Sequence, residues 1–310
     1  MLSDSPFQGP LSLDPVLVTK HPIAFESPDH LHPWGTARDN SRNPAFNAKV
    51  FNLFEPTVDR PLKVLDIGCS GGGFVKDMVD AGHVGVGLEG SDYSRRHKRA
   101  EWATIPGNLT TCDCSRPFDL LTRDGGERIQ FDLITAWEVL EHLDEAGLDQ
   151  LFRNLANHLD PERGLFIGSV AFNSSNEDGE ELHQTIQPEA WWLRKIEDAG
   201  FRLLEPALLY FNVDWIRGPI QAALGSFHVV FGLPTNTLDA HLNALALREA
   251  RPTYRSLYEF YEKYAEKCLA LDKVGTAYLQ AMEVAKQASR QNEALKKRFG
   301  PAAGTGPGAA

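Results

Sequence analysis

Short apolar runs alternate with amphipathic stretches through the middle of the chain. Lys63–Ile67, Val84–Leu88, Leu109–Cys112, Phe131–Ala136, Gly164–Val170, Leu203–Phe211 and Ser226–Phe231 read as strands, and helical patterns separate the first five. Runs this short and uniformly apolar fit strands buried on both faces of a parallel sheet. Their alternation with helices predicts βαβ units and a doubly wound α/β fold. A loop with Gly218 and Pro219, and no helix pattern, joins the last two runs, which fits an antiparallel pair at one edge.

The flanks differ. Pro and polar residues punctuate the lead-in, and Asn43-Pro44 then marks a helix start. Phe46, Val50, Phe51 and Phe54 recur at helical spacing, so a helix is expected from Pro44 to about Phe54. Beyond Pro234 the pattern becomes helical over Thr237–Glu249, Pro252–Leu271 and Lys273–Phe299, with a stripe from Tyr254 through Tyr258, Tyr261 and Ala265 to Cys268. That stripe is expected to pack on the domain or on a second copy of the chain, giving a homodimer. The expected organisation is a lid-like lead-in over 1–61, a main domain over 62–233, a helical extension over 234–299 and a disordered tail over 300–310.

Composition narrows the class. In 310 residues, 42% are hydrophobic and 24% charged, which fits a globular protein. No stretch approaches the roughly 20 apolar residues of a membrane span. The opening MLSDSPFQGPLSLDP does not read as a secretory signal. Four cysteines make no disulfide framework, so a cytoplasmic setting is expected. Cys112 and Cys114 read as small buried hydrophobes. The net charge of −11 argues against a broad nucleic-acid footprint.

The chemistry concentrates in two places. In the first, the strand Val64–Ile67 runs into Gly68-Cys69-Ser70-Gly71-Gly72-Gly73 and then a helix. Glycine permits a sharp turn and close ligand approach, and the helix start offers free N–H groups. Asp66 ends the first strand and Glu89 the second, where a carboxylate can accept ribose hydroxyls. Asp113, after the third strand, can accept from an exocyclic adenine amine. A dinucleotide alternative, Gly85-x-Gly87-x-x-Gly90, falls inside a strand, the wrong context for that motif.

Asp66-x-Gly68-x-Ser70-x-Gly72, Glu89 and Phe131–Ile134 before a Glu resemble class I S-adenosylmethionine-dependent methyltransferases. The resemblance covers about residues 62–231 and implies a seven-stranded, mostly parallel sheet. It implies that Asp66, Gly68, Cys69, Ser70 and Gly72 lie by the methionine, Glu89 by the ribose, Asp113 by the adenine, and Trp137 beside the cofactor. Ser70 stands where glycine is commoner.

The second place is Glu138-x-x-Glu141-His142. In a helix these side chains share one face, where they can hold a divalent ion or position a base. The segment resembles the E-x-x-E-H of small-RNA 2′-O-methyltransferases and ubiquinone-pathway O-methyltransferases. There it binds Mg²⁺ or a similar ion, and in the small-RNA enzymes a later His completes the site. That implies a site of Glu138, Glu141, His142 and His183 for Mg²⁺ or Mn²⁺, with His142 and Glu141 as the catalytic pair. A metal-free base and a purely structural role are the alternatives. Arg38 or Arg42 can pair with a carboxylate, the cofactor's included. The expected reaction is O-methylation of a small molecule or a carbohydrate. RNA 2′-O-methylation, protein methylation and a non-catalytic helical interaction protein are the rivals.

Overall fold

The computed structural model describes residues 15–248, apart from 178, 213 and 218–225. Seven strands form the central sheet: β1 (Lys63–Ile67), β2 (Val84–Glu89), β3 (Leu109–Thr111), β4 (Leu133–Trp137), β5 (Leu165–Ala171), β6 (Arg202–Leu203) and β7 (Ser226–Gly232). Their order across the sheet is β3-β2-β1-β4-β5-β7-β6. β1 to β5 pair in parallel, and β7 runs antiparallel to both β5 and β6. The order reverses between β1 and β4, which opens a crevice at their carboxyl ends.

Alternate residues of each strand feed two cores. Leu65, Ile134, Phe166 and Val229 face α3 (Glu145–His158) and α4 (Glu189–Asp198), which present Leu151, Phe152, Leu155, Trp192 and Ile196. Val64, Leu133, Leu165 and Val230 face α1 (Pro44–Phe54), α2 (Gly73–Asp80) and α5 (Glu205–Phe211), which present Phe46, Val50, Phe74, Met78 and Phe211. Each fully buried Leu or Phe stabilises the fold by roughly 1.5–3 kcal/mol. Asn43 caps α1, its side chain accepting from the Ala45 N–H at 3.0 Å, and Pro44 follows at the first turn.

One expected strand is mostly helix. Of the 203–211 region only Leu203 pairs in the sheet, beside Arg202, and Glu205–Phe211 coils into α5. Pro206 sits in the first turn, and Ala207, Tyr210 and Phe211 are buried at helical spacing. Proline lacks the N–H that a ladder needs but suits a helix start.

The lead-in is more ordered than its polar punctuation implied. Pro15–Thr19 pairs antiparallel with Phe118–Thr122. Residues 239–248 form the first expected C-terminal helix, and Leu238 and Leu242 pack in the second core. The expected helices 252–271 and 273–299, the tyrosine stripe and the tail lie outside the described residues. No helix among the described residues is long and apolar enough to cross a membrane. Cys69, Cys112 and Cys114 are buried free thiols.

Candidate functional site

A cleft of about 1440 Å³ opens at the carboxyl ends of β1, β2 and β4. Its first wall is the glycine turn. Gly68 and Gly72 hold φ of +71° and +84°, which a side chain tolerates poorly. A Cβ on Gly68 would stand 2.4 Å from Val139 Cγ2, and one on Gly72 2.6 Å from Leu109 Cδ1. Ser70 also takes a left-handed φ of 47°, which explains why glycine suits that position. Its backbone is braced instead: the Trp102 Nε1–H donates to Ser70 O at 2.7 Å, and Arg99 Nη2 donates to Ser70 Oγ at 2.9 Å.

Glu89 lies along this turn, buried. Its carboxylate accepts from the Ser70 N–H at 2.7 Å and the Ser91 N–H at 3.1 Å. Burial raises its pKa and those two N–H groups counter the rise. Asp113 borders the same cleft, with Oδ1 accepting from the Ser115 N–H at 3.0 Å. Gly68, Ser70, Glu89, Asp113 and Trp137 thus share one wall.

Asp66 and Cys69 sit behind that wall, in a separate small cavity with Asp39 and Arg217. Asp66 is 4% exposed, and burial pushes its pKa up to about 7 although Thr135 Oγ1 donates to it at 2.7 Å. Gly72 lines neither space; it turns the chain into α2.

The second wall follows β4. Glu138 has a left-handed φ of 56°, Leu140–His142 make one 3₁₀ turn, and α3 begins only after Asp144. The helical face expected for Glu138, Glu141 and His142 is therefore replaced by a bend that keeps Glu141 and His142 together and leaves Glu138 out. Glu138 Oε2 accepts from Ser226 Oγ at 2.7 Å, away from the other two. Glu141 is fully buried, and Oε1 accepts from the Ala171 N–H at 3.0 Å. Its Oε2 has no partner among the described residues. Burial pushes Glu141 up to about 8.

His183 reaches this bend through the backbone. The N–H groups of Gln184 and Thr185 donate to Glu141 O at 2.8 and 3.0 Å. The His183 ring then packs edge-on against His142, with centroids 4.7 Å apart. A carboxylate oxygen of Glu141 and one ring nitrogen each of His142 and His183 lie within 4.8 Å of one another. Glu138 is not one of this group. Burial pulls His142 down, but the carboxylate of Asp29 and the charges of Glu141 and Glu138 outweigh it and raise the pKa to about 9. Burial and the neighbouring His142 charge lower His183.

The lead-in closes the cleft from above. The Asp113 N–H donates to His21 O and the Ala24 N–H to Gly90 O, both at 2.9 Å. Arg99 Nη2 donates to Asp39 O at 2.6 Å, and a Cβ on Gly71 would stand 2.4 Å from Asn40 Oδ1. Of the two arginines singled out, Arg42 pairs with Asp77 and Glu101 outside the cleft. Arg38 lines the cleft and stacks on Trp34, 3.2 Å from the ring centroid. Sequence reasoning missed Asp29, because only the folded lead-in brings it to His142.

Residues 40–207 match the model of a methyltransferase domain family. No curated protein matches the chain. Among solved structures, the chain is similar to an S-adenosylmethionine-dependent methyltransferase from Clostridium acetobutylicum, at 14% identity over 66% of this chain and 97% of that one, with a TM-score of 0.45. An S-adenosylmethionine-dependent methyltransferase from Mesorhizobium loti matches at 17% identity over 61% and 95%, with a TM-score of 0.40. The glycopeptide N-methyltransferase MtfA complexed with S-adenosyl-L-methionine matches at 16% identity over 63% and 89%, with a TM-score of 0.38.

Proposed function

The chain belongs to the methyltransferase domain family, and from that premise we propose that it moves the methyl of S-adenosylmethionine to a hydroxyl on a sugar, glycan or small molecule. The observation that carries this reading is the Glu141–His142–His183 cluster, whose two histidines border the same cleft as the glycine turn. The sulfonium cofactor supplies an electrophilic methyl when bound, so the protein's task is alignment and activation of the acceptor.

The cofactor wall fits that group. Gly68 and Ser70 offer a close backbone, Glu89 retains lone pairs for ribose hydroxyls, and Asp113 stands where an adenine edge would lie. Asp66 and Cys69, behind the wall, support the turn from beneath.

A hydroxyl is a weak nucleophile until its proton is drawn away, which explains the imidazoles opposite. Glu141, His142 and His183 fit a divalent ion such as Mg²⁺ or Mn²⁺, and the unpartnered buried Glu141 Oε2 supports that fit. An ion there would supply Lewis acidity, lowering the hydroxyl pKa. Such ligands bind deprotonated, so His142 must first release its proton. Without an ion, His142 Nε2 is the proton acceptor once that same proton has left. Glu138 serves as a contact near Ser226 and is not a fourth ligand in this reading.

The surroundings favour a neutral acceptor over a nucleic acid. Asp29, Glu138 and Asp144 border the cleft around His142, and carboxylates repel a phosphate backbone. The exposed rings of Phe25 and Trp34 at the mouth suit the flat face of a sugar. A label-transfer screen tests the reading. Methyl-labelled S-adenosylmethionine is incubated with the full chain, Mn²⁺ and a panel of sugars, glycans and phenols. Product label that survives mild alkali excludes a methyl ester, and mass-spectrometric placement of that label on a hydroxyl oxygen identifies a methyl ether. Label found only on amines or carboxylates would overturn the hydroxyl assignment.

A further inference from the structure

The lead-in crosses the carboxyl ends of four strands in turn. His21 meets the residue chain after β3, Ala24 meets Gly90 after β2, and Asn40 meets the glycine turn after β1. Between these contacts the chain makes two short helices, Pro28–Leu31 and Trp34–Arg38, and the start of the first is fixed by the Ser27 side chain accepting from the Asp29 N–H at 3.3 Å. That places the Asp29 carboxylate over the bend after β4, with Oδ2 2.7 Å from His142 Nδ1.

We propose that Asp29 is the positioning residue of His142: it fixes the imidazole through Nδ1 and leaves Nε2 for the acceptor side of the cleft. The assignment rests on the reading of His142 as an acceptor-side group. A ring nitrogen held by a carboxylate sets which nitrogen faces the chemistry, for a base or for a metal ligand alike. His183 is arranged in parallel fashion, with Nδ1 2.5 Å from the carbonyl oxygen of Asn173. Both imidazoles therefore have Nδ1 within 2.7 Å of a protein oxygen. The contact spans the lead-in and the loop after β4, segments far apart in sequence. The acceptor side is therefore complete only with the lead-in in place. The Ser27 cap and the Asp29 contact supply that link, while the Asn40 and Asp39 contacts secure the lead-in over the cofactor side.

The test uses the full chain labelled with ¹⁵N at histidine, with the His142 signals assigned through His142→Gln. Long-range proton–nitrogen spectra distinguish the two ring nitrogens. The wild type is expected to show a downfield Nδ1 proton on His142, as a carboxylate acceptor produces. Asp29→Ala should lose that resonance, Asp29→Asn should move it upfield, and Asp29→Glu should restore it in part. Survival of the resonance unchanged in Asp29→Ala, or its absence from the wild type, overturns the assignment. A merely structural contribution of Asp29 would not follow the carboxylate through Asn and Glu. Titration of the wild type with S-adenosylhomocysteine reports separately on the methyltransferase reading: failure to bind overturns that reading, whereas the ring measurement still decides which group holds His142.

Discussion

The two walls of the cleft are built on opposite principles. On the cofactor side the buried carboxylate is already satisfied: Glu89 accepts from the Ser70 and Ser91 N–H groups, and the turn is braced by Arg99, Trp102 and the lead-in. On the acceptor side buried polar atoms are left over. Glu141 Oε2 and Glu138 Oε1 have no partner among the described residues, and Glu138 holds a strained left-handed backbone. Each such atom costs roughly 1–3 kcal/mol. A carboxylate already held by two backbone donors suits a shared cofactor, bound in one pose. Unmet groups and local strain suit a place where an ion or acceptor supplies the missing partners.

The largest expected effect lies beneath the cofactor wall. The pKa of folded Asp66 is about 7, against an ordinary 3.8, because burial disfavours the charge. A raised carboxyl stabilises the fold fully below its unfolded value and loses that contribution as pH rises through about 7. Chemical denaturation from pH 4 to 8 should show a loss up to about 4 kcal/mol larger in the wild type than in Asp66→Asn, in which the other raised carboxyls remain. A wild-type profile no steeper than the variant's would show that this wall tolerates a charged Asp66.

Glu89→Ala comes next. It removes a buried acceptor from two backbone donors and the proposed ribose contact. Calorimetry should record a fall of about 100-fold in S-adenosylhomocysteine affinity, near 3 kcal/mol. Unchanged affinity would remove the cofactor map.

Glu141→Gln separates the walls. The amide oxygen keeps the bond from Ala171, but the charge is gone. Mn²⁺ affinity should drop roughly 10- to 100-fold. S-adenosylhomocysteine affinity should hold, because Glu141 does not border the cofactor turn. Loss of both together would merge the two walls into one unit.

Arg42→Ala should matter least. Its guanidinium is 37% exposed and pairs with Asp77 and Glu101. Thermal unfolding should shift by less than the equivalent of about 1 kcal/mol. A larger loss would mean that this pair anchors the lead-in.

The same contrast explains what the sequence made legible. Strands β1 to β5 and helix α1 carry their own periodicity, and the glycine turn with Glu89 is a contiguous signal, so both were readable within a residue or two. The region 203–211 misled because an apolar run this short fits a strand or a buried helix equally, and Pro206 decided the matter. The bend at Glu138 was invisible, since a left-handed backbone on a glutamate is imposed by packing, with its carboxylate drawn to Ser226 on β7. His183 was readable only by analogy of order along the chain. Its actual placement depends on two backbone bonds to Glu141. Asp29 carried no local signal at all.

If the proposed cofactor wall and ion-binding acceptor wall of this cleft are independent, calorimetry on the metal-stripped chain separates them, by titrating S-adenosylhomocysteine and then Mn²⁺ into the wild type and into Glu141→Gln. S-adenosylhomocysteine should bind equally in both proteins without metal, and Mn²⁺ should bind strongly to the wild type and be largely lost in the variant. A wild type that fails to bind S-adenosylhomocysteine, or binds it only once Mn²⁺ is present, would show that the two walls do not act separately.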